Sequence, residues 1–203
     1  MDSGVLLAQS INAYRLVALS FRYGSNHSER EIDCARKICS KYGIEHKIID
    51  LPFIKELFKS SLLAGAEAIP EGHYEAESMK STIVPFRNGI MLAIATGYAE
   101  SIGAEWILIG NHAGDHYIYP DCRTEFINSM NDAIREGTLS GIELLSPFCD
   151  KTKRDIGLIG QGLDFDFRDS YSCYKGGSKH CGKCGSCNER REALNGFDPT
   201  DYE

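Results

Sequence analysis

Long hydrophobic runs are missing from this chain. Its longest apolar stretch, Ile90 to Tyr98, is interrupted by Thr96 and Gly97 and followed by Glu100, well short of the roughly 18 to 20 residues a membrane-spanning helix needs. Positive charge is scarce as well. With 22 basic against 29 acidic residues the net charge is -7, so the broad positive field that non-specific nucleic-acid binding requires is absent, and no direct nucleic-acid partner is expected. Eight cysteines in 203 residues are too few for a disulfide scaffold of this length. A secretory n-region is not seen either: Met1-Asp2-Ser3-Gly4 is negative where such a region is positive, and Val5-Leu6-Leu7-Ala8 is too short for its apolar part. We therefore expect a cytoplasmic protein with reduced thiols and no membrane partner. Internal repeats and low-complexity tracts are also lacking. What is present, 42% hydrophobic and 25% charged residues, is the composition of a globular chain of one domain with room for a small appendage.

Apolar periodicity places elements along this chain. Asp2-Ser3 reads as a helix cap ahead of Val5, Leu6, Ile11 and Tyr14, and Arg15 to Phe21 as a buried strand. From Ser28, the residues Ile32, Ala35, Ile38, Cys39 and Tyr42 form one helical face closed by Gly43. Ile44 to Leu51 reads as a strand stopped by Pro52, followed by a weak helix near Ile54 to Leu63 and a loop at Pro70-Glu71-Gly72. Arg87 to Ile102 is a helix ended by Gly103, and Trp106 to Gly110 a strand. Asp121 to Glu136 is helical, with Phe126, Met130 and Ile134 four apart; Ile142 to Leu145 is a short strand and Lys153 to Gly160 a short helix. Helices alternating with strands predict an α/β fold with a parallel sheet. After Ser170 the composition turns to Gly, Lys and Cys, which predicts a lean C-terminal piece. We expect domains at 1–170 and 171–203.

Four of the eight cysteines are gathered there, as Cys173-x7-Cys181-x2-Cys184-x2-Cys187 with Gly176, Gly177, Gly182 and Gly185 between. Four thiolates on a glycine-rich loop can wrap tetrahedrally around one Zn²⁺, which would supply folding energy to a segment with little to bury. Lys175, Lys179 and Lys183 stand near enough in sequence to offset the negative charge. Iron–sulfur ligation and four unmetallated thiols are the alternatives. His180 is expected at the surface or behind the ligands. Cys34, Cys39, Cys122 and Cys149 lack ligand spacing and read as small hydrophobes.

In an open α/β sheet, ligands bind beyond the carboxyl ends of the strands. Two polar loops occupy such positions, Ser20 to His27 and Gly110 to Arg123. The chain start adds a third, where Asp2 and Ser3 precede helical N–H groups able to receive an anion. The second loop gathers His112, Asp115, His116, Tyr119, Asp121 and Arg123. It suits a small-molecule pocket, a metal site at His112-x2-Asp115-His116, or a plain solvated loop. Arg87-Asn88 at a helix start reads equally as a phosphate contact or as a cap with a solvated arginine.

Taken together, Tyr23-Gly24 with His27, Val84-Pro-x-Arg87-Asn88, Tyr119-Pro-Asp-Cys-Arg123, Lys153 and the four clustered cysteines resemble the 7-cyano-7-deazaguanine synthase family of the N-type ATP pyrophosphatase (PP-loop) superfamily. The resemblance runs from residue 1 to the C-terminus. It implies a Rossmann-like fold, a structural zinc, a homodimer, and an ATP-dependent carbon–nitrogen ligase acting on 7-carboxy-7-deazaguanine and ammonia, with Mg²⁺ accompanying ATP. Adenylation of the carboxylate, amide formation and a second activation would give the nitrile. It implies catalytic roles for Lys153, Arg87 and Asp115, the last as a Mg²⁺ ligand or as the group that orients the reacting atoms. ATP binding would fall to Asp2, Ser3, Ser20, Tyr23, His27, Asn88 and Gly110. Tyr119, Asp121 and Arg123 would bind the substrate, Asp121 by accepting two parallel hydrogen bonds from a guanine-like edge and Tyr119 by stacking. Two features depart from the family pattern. Of its Ser-Gly-Gly-x-Asp-Ser loop, which cradles pyrophosphate, only Met1-Asp2-Ser3 appears, so an N-terminally clipped sequence is expected. Phe86 stands where many members carry glycine. The alternatives are a relative that stops at the amide or passes the activated acyl group to another amine, and a non-catalytic module that only binds the deazaguanine.

Overall fold

Val17–Arg22 forms β1, which pairs in parallel with β2 (Glu45–Asp50), Val17 lying opposite Glu45 and Arg22 opposite Asp50. A parallel pair needs a crossover, and α2 (Ser28–Tyr42) provides it, ending at Gly43 as its apolar face predicts. The register sets Arg22 beside Asp50 (2.5 Å), with Glu29 at 2.7 Å on its other side. The computed structural model describes residues 1–203 and resolves into two units, Met1–Pro85 with Lys153–Glu203, and Phe86–Thr152. No helix is long and apolar enough to cross a membrane.

The first unit adds α1 (Asp2–Ser10), α3 (Pro52–Leu57), α6 (Lys153–Gly162) and α7 (Gly185–Ala193) around the β1–β2 pair. Three local expectations are corrected. Asp2-Ser3 does not cap α1: Met1 is the cap, without a side-chain bond, and the Asp2 carboxylate turns to Lys153 instead. The helix expected over Ile54 to Leu63 is only α3, because Pro52 starts it and the chain extends at Phe58 to run back along the loop after β1, where Asn26 N–H donates to Leu62 O and Ala64 N–H to Gly24 O. The C-terminal segment is less lean than its composition suggests: α7 buries Cys187, Arg190 and Ala193, and Leu194 beyond it is fully enclosed.

Close packing in this unit runs through small residues. A Cβ on Gly160 would lie 2.6 Å from Phe167 Cζ and 2.9 Å from Val5 Cγ2, which is how α6 meets α1. Gly176 is more constrained still. Its φ is +70°, and a Cβ there would be 2.0 Å from the carbonyl oxygen of Asn26, so only glycine lets the cysteine loop lie against the loop after β1.

The second unit is built from α4 (Arg87–Ile102), β3 (Trp106–Leu108), α5 (Thr124–Gly137) and β4 (Glu143–Leu145), with β3 and β4 parallel. α4 keeps its predicted limits, ending at Gly103. α5 starts later than the expected Asp121, because Pro120–Cys122 forms a separate 3₁₀ turn. Leu92, Ala99, Ile127, Ile134, Ile142 and Leu144 form the core, with Phe126 and Met130 packed around it. The inward face of α5 is therefore turned from the predicted spacing of four toward Ile127. Phe86 holds a left-handed φ of 52°, a conformation costing a side-chain-bearing residue about 1 to 2 kcal/mol. Its ring lies over Gly89, where a Cβ would be 2.4 Å away, and edge-on to Phe126 at 5.7 Å.

Two leucines of this unit give a direct check on the core. Leu144 is buried, whereas Leu139 is 100% exposed. Leu144→Ala should cost about 2 to 5 kcal/mol of unfolding free energy in urea titrations, while Leu139→Ala should stay within about 0.5 kcal/mol.

Candidate functional site

The four cysteines of the motif converge. Their sulfurs all lie within 4.8 Å of one another, with Cys181 Sγ and Cys187 Sγ 3.9 Å apart, and all four residues are buried. Local backbone geometry aims them. Cys181 N–H donates to Cys173 Sγ (3.4 Å), while Lys183 and Cys184 N–H donate to Cys181 Sγ (3.5 and 3.3 Å). Gly182, at φ 66°, makes the turn that points those amides inward. Cys184 is the N-cap of α7 and Cys187 lies in its first turn.

Such crowding is incompatible with four thiolates in the absence of a cation. Hydrogen bonds from Cys184 and Cys187 hold the Cys173 thiol far below its ordinary range, and the shared protons push Cys184 and Cys187 up. A divalent ion removes that conflict, and a closed set of four buried sulfurs backed by N–H donors fits one. No other group of three or more His, Cys, Asp or Glu side chains converges in this way.

Of the two positions expected for His180, at the surface or behind the ligands, it takes the buried one: its Nε2 accepts from Ser172 N–H at 3.1 Å, its ring lies 4.7 Å from that of Tyr171, and burial lowers its pKa to about 4. Arg190, 0% exposed, donates to Phe167 O (2.7 Å), Ser170 Oγ (3.0 Å), Ser172 Oγ (3.1 Å) and Thr200 Oγ1 (2.8 Å). Its place three residues after Cys187, one helical turn on, was the available signal. Of the lysines expected to offset the sulfur charge, Lys175 pairs with Glu71 and Lys179 with Asp201.

In the same unit lie the residues of the first loop and the chain start. Lys153 Nζ is 2.7 Å from Asp2 Oδ2 and 3.3 Å from Glu189 Oε2. Ser3 is exposed on α1. Ser20 Oγ meets His46 Nε2 at 2.8 Å. Tyr23 and His27 are both buried, and His27 Nδ1 approaches Tyr174 O at 3.3 Å, next to Cys173.

In the second unit the loop from Gly110 to Arg123 is held by hydrogen bonds among its own residues. His112 and Asp115 close a capping box: His112 N–H donates to Asp115 Oδ2 (3.2 Å) and Gly114 N–H to His112 Nδ1 (3.1 Å). His116 turns toward Cys149, 3.8 Å away, so His112, Asp115 and His116 do not converge as a metal site. Asn111, which spacing did not flag, is buried; it joins the two ends of the loop by donating to Cys122 O (2.7 Å), and it accepts from Ser146 Oγ (2.7 Å), just after β4. Asp121 Oδ2 accepts from Asn88 N–H (2.8 Å), so the aspartate caps α4 and not the helix that follows it. Asn88 Nδ2 donates to Asp121 O and to Cys122 Sγ, and burial pushes the Cys122 thiol well up. Tyr119 is buried, Arg123 Nε donates to His116 O at 3.0 Å, and Arg87 opens α4.

Comparison with known proteins places this geometry. The profile of the family described as "Queuosine biosynthesis protein QueC" matches residues 1–198. A protein of Desulfotalea psychrophila named 7-cyano-7-deazaguanine synthase is 55% identical over 206 aligned positions, covering 100% of this chain and 94% of the relative. One of the same name from Porphyromonas gingivalis is 52% identical, covering 100% and 93%. Among solved structures, the U34-tRNA thiolase NcsA from Methanococcus maripaludis with its 4Fe-4S cluster is similar with a TM-score of 0.51 at 16% identity. That likeness spans 81% of this chain and 53% of the thiolase, and it concerns the fold alone. The profile and the full-length relatives agree, and the chain belongs to the QueC family of queuosine biosynthesis proteins.

Proposed function

We propose that this protein is an ATP-dependent synthase that joins ammonia to 7-carboxy-7-deazaguanine and carries the product on to 7-cyano-7-deazaguanine. The observation that carries this reading is the 55% identity over the whole chain to a relative bearing that name. The chemistry follows from the substrate. A carboxylate has no good leaving group, so its oxygen attacks the α-phosphorus of ATP and pyrophosphate departs. Ammonia then adds to the acyl carbon and AMP leaves, giving the amide with loss of a proton. The amide oxygen attacks a second ATP in the same way; departure of AMP and the two N–H protons leaves the nitrile.

Charge and placement support the residue roles that we propose. Lys153 and Arg87 oppose the negative charge that builds on the transferring phosphate. Ser3 and Asp2 at the start of α1, with Ser20, Asn88 and Gly110, are assigned to the nucleotide. Tyr23 and His27, both buried, contribute by holding the backbone of the loop after β1. Asp121 is assigned to the guanine-like edge; its bond to Asn88 N–H fixes the carboxylate plane in advance. Tyr119 and Arg123 complete the base site, and Asp115 orients the loop that carries them. Mg²⁺ would arrive with the phosphates of ATP. We assign the ATP chemistry to residues 1–170 and metal binding to 171–203.

For the metal, zinc is the reading best supported. A tetrahedron with metal–sulfur bonds of about 2.3 Å has sulfur–sulfur edges of about 3.8 Å, close to the 3.9 Å between Cys181 and Cys187. A 4Fe-4S cluster sets each thiolate on a different iron and spreads the four more widely, which the 4.8 Å limit opposes. Bound zinc would supply folding free energy to residues 171–203.

Elemental analysis should therefore find one zinc per chain, with Cys187→Ser reducing it and lowering the melting temperature; iron in place of zinc overturns this assignment. Incubation of the protein with ATP, ammonia and 7-carboxy-7-deazaguanine should yield the nitrile by mass spectrometry. Amide as the sole product, or an adduct on another amine, would reassign the last step. Calorimetric binding of the deazaguanine without binding of ATP would reduce the protein to a binding module. Lys153→Gln should lower kcat roughly a hundred- to a thousandfold. Asp121→Asn keeps an acceptor for Asn88 N–H but loses the charged one, and should raise KM for the base roughly ten- to a hundredfold.

A further inference from the structure

Lys153 stands at the first position of α6, on a long flexible stem whose charge serves one place only if partners fix it. Those partners come from two other helices. Asp2 begins α1, and Glu189 lies within α7, so three helices meet at one ammonium. Lys153 and Glu189 are 11% and 12% exposed, which leaves little water to compete with the pair.

The same turn of α6 is tied to the other end of α7. Arg154 Nη1 donates to Ala193 O (2.7 Å) and Asn195 O (2.8 Å), carbonyls at the C-terminal end of that helix. One turn further on, a Cβ at Gly157 would lie 3.1 Å from Ala193 O and from Leu194 Cδ2, so glycine lets α6 approach the end of α7 closely. At its start, α7 carries two cysteines of the cluster: Cys184 is the cap and Cys187 lies in the first turn. A helix this short has little stability of its own, and its position depends on what fixes its two ends.

We propose that Glu189 is a positioning residue for Lys153, and that α7 makes the lysine's placement depend on metal bound at Cys173, Cys181, Cys184 and Cys187. The inference rests on the reading of Lys153 as the cation that serves the transferring phosphate. With metal bound, the start of α7 is fixed, and Glu189 and the carbonyls held by Arg154 fix the first turn of α6. Without it, the helix loses its anchored end and Lys153 one of its two carboxylates.

The test uses the full chain with Glu189→Gln, Glu189→Asp and Lys153→Gln. Elemental analysis and thermal melting serve as controls, and both should match wild type in the Glu189 variants. Glu189→Gln should lower kcat for AMP release roughly tenfold or more, as a misaimed catalytic group does, with KM for the deazaguanine nearly unchanged, and Glu189→Asp should restore part of the loss. A second readout does not depend on activity: acylation of lysines by an N-hydroxysuccinimide ester, followed by peptide mass spectrometry. Lys153 should react several-fold faster in Glu189→Gln, and in wild type stripped of metal by a chelator, relative to Lys37 and Lys41 on α2. Unchanged labelling of Lys153 in both cases overturns the proposal, as does a rise shared equally with Lys37 and Lys41, or an unchanged kcat in Glu189→Gln. Full activity in Lys153→Gln would instead remove the catalytic reading of the lysine, while labelling would still decide whether Glu189 and the metal hold it.

Discussion

Four sulfurs within 4.8 Å of one another in a buried pocket set a condition that the surrounding chain has to meet. Neutral thiols at that distance gain little from one another, and four charged ones repel strongly, so the arrangement is favourable only around a cation. Much of the first unit is arranged about that condition. Backbone amides of residues 181, 183 and 184 point at sulfur, and His180 and Arg190 pin the strands of chain behind the ligands. Asn26 lies so close to Gly176 that the loop after β1 and the cysteine loop share one boundary.

The second unit relies on side-chain hydrogen bonds to its backbone and on apolar packing instead. Asn111 ties its polar loop at both ends, the capping box of His112 and Asp115 shapes the middle, and Asp121 closes the start of α4. Asn111, His112 and Asp115 each commit a hydrogen bond to the loop itself, and Asp121 commits one to α4. A loop rigid before its ligand arrives loses less entropy on binding, which suits the base-binding role we propose for it.

Much of this was legible in the residues, and the failures share a cause. Helices with a full apolar face and a glycine stop, α2 and α4, appear at their predicted limits because burial and capping agree. The cysteine cluster was legible because ligand spacing directly encodes a small coordination sphere. Partners distant in sequence were not. Asp2 reads locally as a cap but pairs with Lys153, 151 positions away, and Asp121 caps α4 from 33 positions beyond. Glu189 and Arg190 are ordinary charged residues on a short helix until the fold encloses them. Periodicity reports which face is buried; it is silent on which polar group meets which.

The first unit is assembled from two separate stretches, residues 1–85 and 153–203, while the second uses the uninterrupted stretch 86–152. During synthesis the chain emerges in that order. The middle stretch holds all six residues of its own core, from Leu92 to Leu144, before any cysteine of the cluster has been made. The opening residues, by contrast, must wait. Val5 lacks Gly160 and Phe167 beside it, and Asp2 lacks Lys153, which lies 151 positions further along the chain. Arg190 finds its last acceptor only at Thr200. The unit that carries the cysteine cluster therefore cannot close until residues after 152 are present, and α1 is made long before the partners that bury it.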